Sequence, residues 1–185
     1  MDIGKDVGMT EIPSAADPER RHHLEALRNV AQAELAAAGL PVAPGGHPTG
    51  TAGAVVMVDI PDLRGVLIDW RAHDVLVDAA QEAWFDDPHR EGEETAEFAR
   101  LTSTIGEAMA VAMRTILTAA GMEVSGTGND YAPHELLVTR RLVPSAWSAR
   151  RDARFSRRFE AMGAAWNARH AAECPNPDCE HHHPK

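Results

Sequence analysis

The sequence predicts a single-domain α+β protein in which two β-hairpins form a small antiparallel sheet packed against three or four helices. Three observations predict it: apolar residues recur at helical spacing, short β-branched runs come in pairs, and turn residues separate them. The chain has 185 residues, of which 44% are hydrophobic and 25% are charged, as in an ordinary globular domain. We expect a flexible N-terminal arm (1–16), one domain (17–172) and a Cys/His-rich tail (173–185).

The first predicted helix covers about residues 18–38. Asp17 is a typical N-cap residue, and Pro18 fits the first helical position. Gly39 is a typical residue for ending the helix. The apolar residues between them have helical spacing and predict one buried face, formed by Leu24, Leu27, Ala31, Leu35 and Ala38.

A Pro/Gly-rich loop (41–53) leads into the first predicted hairpin. Residues 54–60 and 66–70 are rich in β-branched side chains, and residues 61–65 have turn chemistry. The loop resembles a phosphate-binding loop in composition alone, because it precedes a strand and lacks the required Lys.

Two helices are predicted next, over residues 74–87 and about 94–120. In the first, Val75, Ala79 and Ala83 are expected to face inward, with Leu76 and Trp84 as further candidates. The second carries the clearest predicted core stripe, formed by Phe98, Leu101, Ile105, Met109, Ala112 and Ile116. Residues 122–124 and 135–143 predict a second strand pair, and a last helix is expected over about 146–172.

The last helix carries two neighbouring stripes when its residues are placed at about 100° intervals. An aromatic stripe, which we predict to be buried, spans about 60° and consists of Phe155, Phe159, Met162 and Trp166. An arginine face spans about 120° beside it and consists of Arg150, Arg151, Arg154, Arg157 and Arg158, with Trp147 within the same arc.

The arginine face is the best candidate binding surface. Guanidinium groups bind anions in a bidentate manner, and an aromatic ring among them can stack on a base. An acidic protein or a nucleic acid therefore fits this face. The alternative is a solvated helix surface whose arginines pair with the protein's own acids.

Charge is unevenly distributed along the chain, whose net charge is −10. Residues 74–107 contain ten acids and two bases, whereas residues 140–169 contain eight arginines and two acids. The overall negative charge argues against general affinity for nucleic acid. The basic segment therefore predicts contact with an acidic partner or with the chain's own acidic segment.

The tail offers four candidate zinc ligands, Cys174, Cys179, His181 and His183. Two thiolates and two imidazoles form many structural zinc sites, but the C-x4-C spacing is not the usual one. The alternatives are a polar tail without metal and a disulfide between the two cysteines.

A weak catalytic candidate lies at the first hairpin, where Asp59, Asp69 and His73 could form a carboxylate–histidine site. The alternative is a set of turn and helix-cap residues. Because no nucleophile motif accompanies them, the sequence favours a non-enzymatic binding or accessory protein, regulatory or otherwise. The runners-up are a nucleic-acid-binding protein with a zinc tail and an enzyme using the hairpin acids.

The sequence also predicts the cellular location of the protein and the type of organism it comes from. The chain has no secretory signal and no apolar segment long enough for a membrane span, so we expect a soluble, cytoplasmic protein without a membrane partner. Sixteen arginines against two lysines indicate a GC-rich bacterial genome. The sequence leaves the oligomeric state open.

Overall fold

The computed structural model describes residues 17–43, 50–87, 89 and 91–173. Within this part of the chain, four helices and a four-stranded antiparallel sheet confirm the predicted α+β class. The elements in chain order are α1 (Pro18–Ala37), β1 (Gly53–Val58), β2 (Val66–Arg71), α2 (Asp74–Asp86), α3 (Glu93–Ala119), β3 (Met122–Gly126), β4 (Leu136–Arg141) and α4 (Ala146–Glu173). The predicted arm (1–16) and the tail from residue 174 lie outside the described residues.

The sheet has the strand order β1-β2-β4-β3, and each neighbouring pair is antiparallel. Both predicted hairpins are present. In the first, Val56 lies opposite Ile68, and in the second, Ser125 lies opposite Leu137. The two hairpins join through β2 and β4, where Val66 lies opposite Val138.

Helix α1 begins as the sequence predicts. The Asp17 side chain accepts hydrogen bonds from the amides of Glu19 and Arg20, both at 3.0 Å, and so satisfies two helix-end donors. The predicted face is buried at Leu24, Leu27, Ala31 and Leu35. Ala38 is exposed instead, because it is the C-cap residue and lies past the last helical turn.

One hydrophobic core joins α1, α3 and one face of the sheet. Its fully buried side chains include Leu24, Ile68, Met113, Leu117 and Val138. Burying each of these side chains contributes about 1.5–3 kcal/mol, which makes this layer the main source of stability.

The predicted core stripe of α3 is corrected by the structure. The buried positions are Ala110, Met113 and Leu117, whereas Leu101 is exposed and Ile116 is only partly buried. None of the described residues 93–109 is buried; this half of α3 lies beside α2, where Oγ1 of Thr95 donates a hydrogen bond to the carbonyl of Ala83 at 3.2 Å. Likewise, Val75 on α2 is exposed and Ala83 is its one buried residue.

The chain forms two compact units, Met1–Val143 and Pro144–Lys185. The first unit contains the sheet and helices α1 to α3. In the second unit the structure describes residues 144–173, which include helix α4.

Candidate functional site

The residues of the predicted hairpin site lie apart. Asp69 pairs with Val55 in the β-ladder, whereas Asp59 donates its amide to the carbonyl of Gly65, just beyond the end of that ladder. These two levels, at Gly65 and Asp69, are four positions apart, which corresponds to about 13 Å along an extended strand. The hairpin therefore does not bring the two carboxylates together.

Each of the three hairpin candidates also has a structural role. Asp59 is buried and accepts a hydrogen bond from Nε of Arg64 at 2.8 Å, and this bond is the main reason that the pKa of Arg64 is raised. Asp69 accepts the amide of Trp70 at 2.8 Å. His73 is the N-cap of α2, where its Nδ1 accepts the amide of Val75 at 3.2 Å.

The aromatic stripe of α4 is exposed, which corrects the prediction that it is buried. Its four side chains are between 49% and 70% exposed. A helical wheel identifies side chains that share a face, but it does not show whether another element covers that face. Phe155 and Phe159 stack on each other with ring centroids 6.4 Å apart, and Trp166 stacks on His170 at 3.9 Å.

The arginine face of α4 is also exposed along its whole length. The guanidinium of Arg151 lies 4.9 Å from the centre of the Trp147 ring, within the range of a cation–π contact. Arg151 also forms an ion pair with Asp152 at 3.1 Å. The other four arginines of this face form no ion pair with any of the described residues, so their charges are available to a partner.

The predicted zinc ligands Cys174, Cys179, His181 and His183 lie outside the described residues, and zinc therefore stays a prediction. Within the described residues, no three His, Cys, Asp or Glu side chains are placed to share a metal ion.

The structure reveals a second candidate site that sequence reasoning missed. A cleft of about 600 Å³ lies between α2 and the first half of α3, and we call it the α2–α3 cleft. Leu76, Val77 and Ala80 of α2 face Phe98 and Ala99 of α3 across it. Its volume is typical of a small-molecule site.

A serine–histidine pair lies in this cleft. Oγ of Ser103 on α3 is 3.2 Å from Nε2 of His134, which lies in the loop before β4. Gly106, one helical turn after Ser103, makes this approach possible, because a Cβ at that position would be 3.0 Å from Cδ2 of His134. Among the described residues no carboxylate is hydrogen-bonded to His134, so the pair has the geometry of a polar anchor without the third group of a catalytic triad.

Carboxyl groups near the cleft have shifted pKa values. Burial is the main cause that raises the pKa of Glu135, the neighbour of His134, and the charges of Asp69 and Asp59 raise it further. The amide of Gly50 and the side chain of Arg71 lower the pKa of Asp74, which forms an ion pair with Arg71 at 3.0 Å.

The distribution of aromatic side chains distinguishes both candidate sites from the core. The chain has four Trp, four Phe and one Tyr, all within the described residues, and none of the nine is buried. Trp70, Trp84, Phe98 and Tyr131 line the cleft, and four others lie on α4. Aromatic rings normally supply much of a core and are also enriched at interfaces, so their concentration here favours two binding surfaces.

Comparison with known proteins adds no functional assignment: no protein-family model, no curated protein and no solved structure matches this chain significantly. Within the part of the chain that the structure describes, no helix has both the length and the apolar character required to cross a membrane.

Proposed function

We propose that this protein is a non-enzymatic binding or accessory protein that uses the arginine face of α4 to contact an acidic protein. The observation that carries the proposal is the exposure, side by side on one 28-residue helix, of five arginines and four large apolar residues. An amphipathic helix of this kind suits an apolar groove with an acidic rim.

The spacing of the aromatic stripe supports recognition of the helix by a groove. Phe155, Phe159, Met162 and Trp166 follow one another at intervals of four, three and four residues. These are the positions that anchor a helix in an apolar groove. Exposing such large apolar side chains to water is unfavourable, so a partner that covers them gains binding free energy.

One feature favours an acidic protein over a nucleic acid. A nucleic acid offers no continuous apolar groove for Met162 and the stacked phenylalanine rings. An acidic protein can satisfy both stripes at once.

The test measures binding of the full chain to three probes at low and moderate salt. Calcium-loaded calmodulin provides a generic acidic protein with an apolar groove, and duplex DNA and single-stranded RNA provide polyanions without one. We expect binding to calmodulin and weaker, strongly salt-dependent binding to the nucleic acids. No binding to calmodulin, or tighter binding to either nucleic acid, would overturn the proposal.

Variants separate the two stripes. Arg154→Glu with Arg158→Glu should weaken binding to calmodulin by at least about tenfold, and Phe155→Ala with Phe159→Ala should weaken it similarly. Arg100→Glu with Arg114→Glu, on α3, makes the same change in net charge and should leave binding within about twofold. Equal losses for the two arginine pairs would attribute the effect to net charge and contradict a role for α4.

The zinc tail, the cytoplasmic location and the bacterial origin remain predictions from the sequence. Zinc content can be measured in the full chain and after deletion of residues 174–185. Identical values would eliminate the tail as a metal site.

A further inference from the structure

The α2–α3 cleft is independent of the arginine face, since all its lining residues belong to the first compact unit. Most of its wall is apolar, and its polar groups include the carboxylate of Asp69, the Ser103–His134 pair and the side chains of Gln81, Thr95 and Thr102. A ligand for this cleft therefore has an apolar body and a small number of polar groups.

Aromatic rings surround the cleft to an unusual extent. Trp70, Trp84, Phe98 and Tyr131 all line it, although the chain has only nine aromatic residues. The faces of such rings carry partial negative charge and attract cations, most strongly when the cation is an ammonium group shielded from water.

The charged side chains in and around the cleft also favour a cation as the ligand. Among the described residues that line it, Asp69 is the one carboxylate and none is Lys or Arg. Asp69 forms no ion pair with any described residue, and its Oδ1 accepts only the neutral amide of Trp70. Within residues 74–107, which supply both helical walls, acids outnumber bases ten to two. A carboxylate or phosphate ligand would be repelled here, whereas a cation would be attracted.

We propose that the α2–α3 cleft binds a small organic cation, namely an amine or quaternary ammonium attached to an apolar body. The ammonium group lies between Asp69 and the aromatic rings, and the apolar body packs against Leu76, Val77 and Phe98. The Ser103–His134 pair offers a hydrogen bond to a polar group at the other end of the ligand.

The test compares three probes that share a phenyl group on a two-carbon linker: 2-phenylethylamine, 2-phenylethanol and 3-phenylpropanoate. Binding to the full chain is measured by calorimetry and by amide chemical shifts in NMR spectra. We expect the amine to bind at least about tenfold more tightly than the alcohol, with the largest shifts at the cleft residues, and the carboxylate to bind most weakly. Equal affinities for amine and alcohol, preference for the carboxylate, or no binding of any probe would overturn the proposal.

Asp69→Asn gives the sharpest variant, because it removes the charge and keeps the shape of an exposed side chain. It should abolish the preference for the amine over the alcohol while leaving the affinity for the alcohol within about twofold. Asp62→Asn, a matched change in the hairpin turn, should leave the preference intact. An unchanged preference in Asp69→Asn would contradict the proposed position of the ammonium group.

Trp84→Ala tests the aromatic wall and should weaken binding of the amine more than that of the alcohol. The α4 variants Arg154→Glu with Arg158→Glu should not affect any of the three probes. This control makes the outcome for the cleft independent of the outcome for the arginine face.

Discussion

Glu34 of α1 and Arg141 of β4 form an ion pair at 3.1 Å, although they are 107 positions apart in the chain. The Glu34 side chain is only 3% exposed and that of Arg141 is 22% exposed. The pair connects α1 to β4, an inner strand of the sheet, at a place where the charge of either residue alone would be costly.

Glu34→Ala should lower the free energy of unfolding by about 3 kcal/mol, because it leaves the Arg141 guanidinium without its carboxylate in a mostly buried position. Urea unfolding measures the change. The matched control is Glu25→Ala on the same helix, which breaks an exposed pair with Arg21 and should cost no more than about 0.5 kcal/mol. Similar losses for the two variants would show that the buried pair contributes no more than an exposed one.

Gly121→Ala should cost about 2 kcal/mol or more, because its backbone has a φ of +81° and a Cβ would lie 2.4 Å from the carbonyl oxygen of Val143. Gly39 provides a control with a similar φ of +86° and nothing within 4 Å of its Cβ position. Gly39→Ala should cost only about 1 kcal/mol. Thermal and urea unfolding measure the loss of stability in the two variants. Equal losses would show that the contact with Val143 is unimportant.

Gly106→Ala should stabilise the protein in one background and not in the other. In His134→Ala, where the ring is absent, the added methyl group should stabilise α3 by about 1 kcal/mol through helix propensity. In the original chain the methyl group would lie 3.0 Å from the His134 ring, so we expect that gain to be cancelled. Free energies of unfolding for the four proteins measure the coupling, and additive effects would mean that the ring does not depend on the glycine.

Glu135→Gln should stabilise the protein at neutral pH. The pKa of Glu135 is raised in the fold, chiefly by burial, so between the unfolded and the folded pKa the folded state retains a proton that the unfolded state has lost. This group therefore makes its full contribution to stability below its ordinary pKa of 4.5. That contribution is lost as the pH rises through the higher pKa of the folded state. Melting curves across acidic and neutral pH should show the advantage of the variant growing with pH and disappearing below pH 4.5; an advantage that is constant with pH would contradict this origin.

Most of the secondary structure could be predicted from the sequence, because local chemistry decides it. Asp17 caps α1, Gly121 ends the turn after α3, and both hairpins follow from β-branched runs separated by turn residues. The predicted faces of the helices were less reliable. On α3 the predicted stripe is displaced by one residue from Ala110, Met113 and Leu117, since many of its residues are apolar and periodicity alone does not choose among neighbouring faces.

The two candidate sites also differ in whether the sequence could predict them. The arginine face lies within one helix, so spacing along the sequence was sufficient to find it. The cleft combines residues from β2, α2, α3 and the loop before β4, and no spacing in the chain connects Ser103 with His134 or Trp84 with Tyr131. The sequence offered only a weak catalytic candidate at Asp59, Asp69 and His73, and the hairpin does not bring its two carboxylates together.

The sequence by itself determined the order and approximate bounds of the helices and strands, and it determined which residues of α4 share a face, because both depend on interactions within a few residues. Only the tertiary structure decided which faces are covered. It left the aromatic stripe of α4 exposed, buried Glu34 against Arg141 and placed four aromatic rings around one cleft, since burial depends on elements that are distant in the chain and come together only when the protein folds.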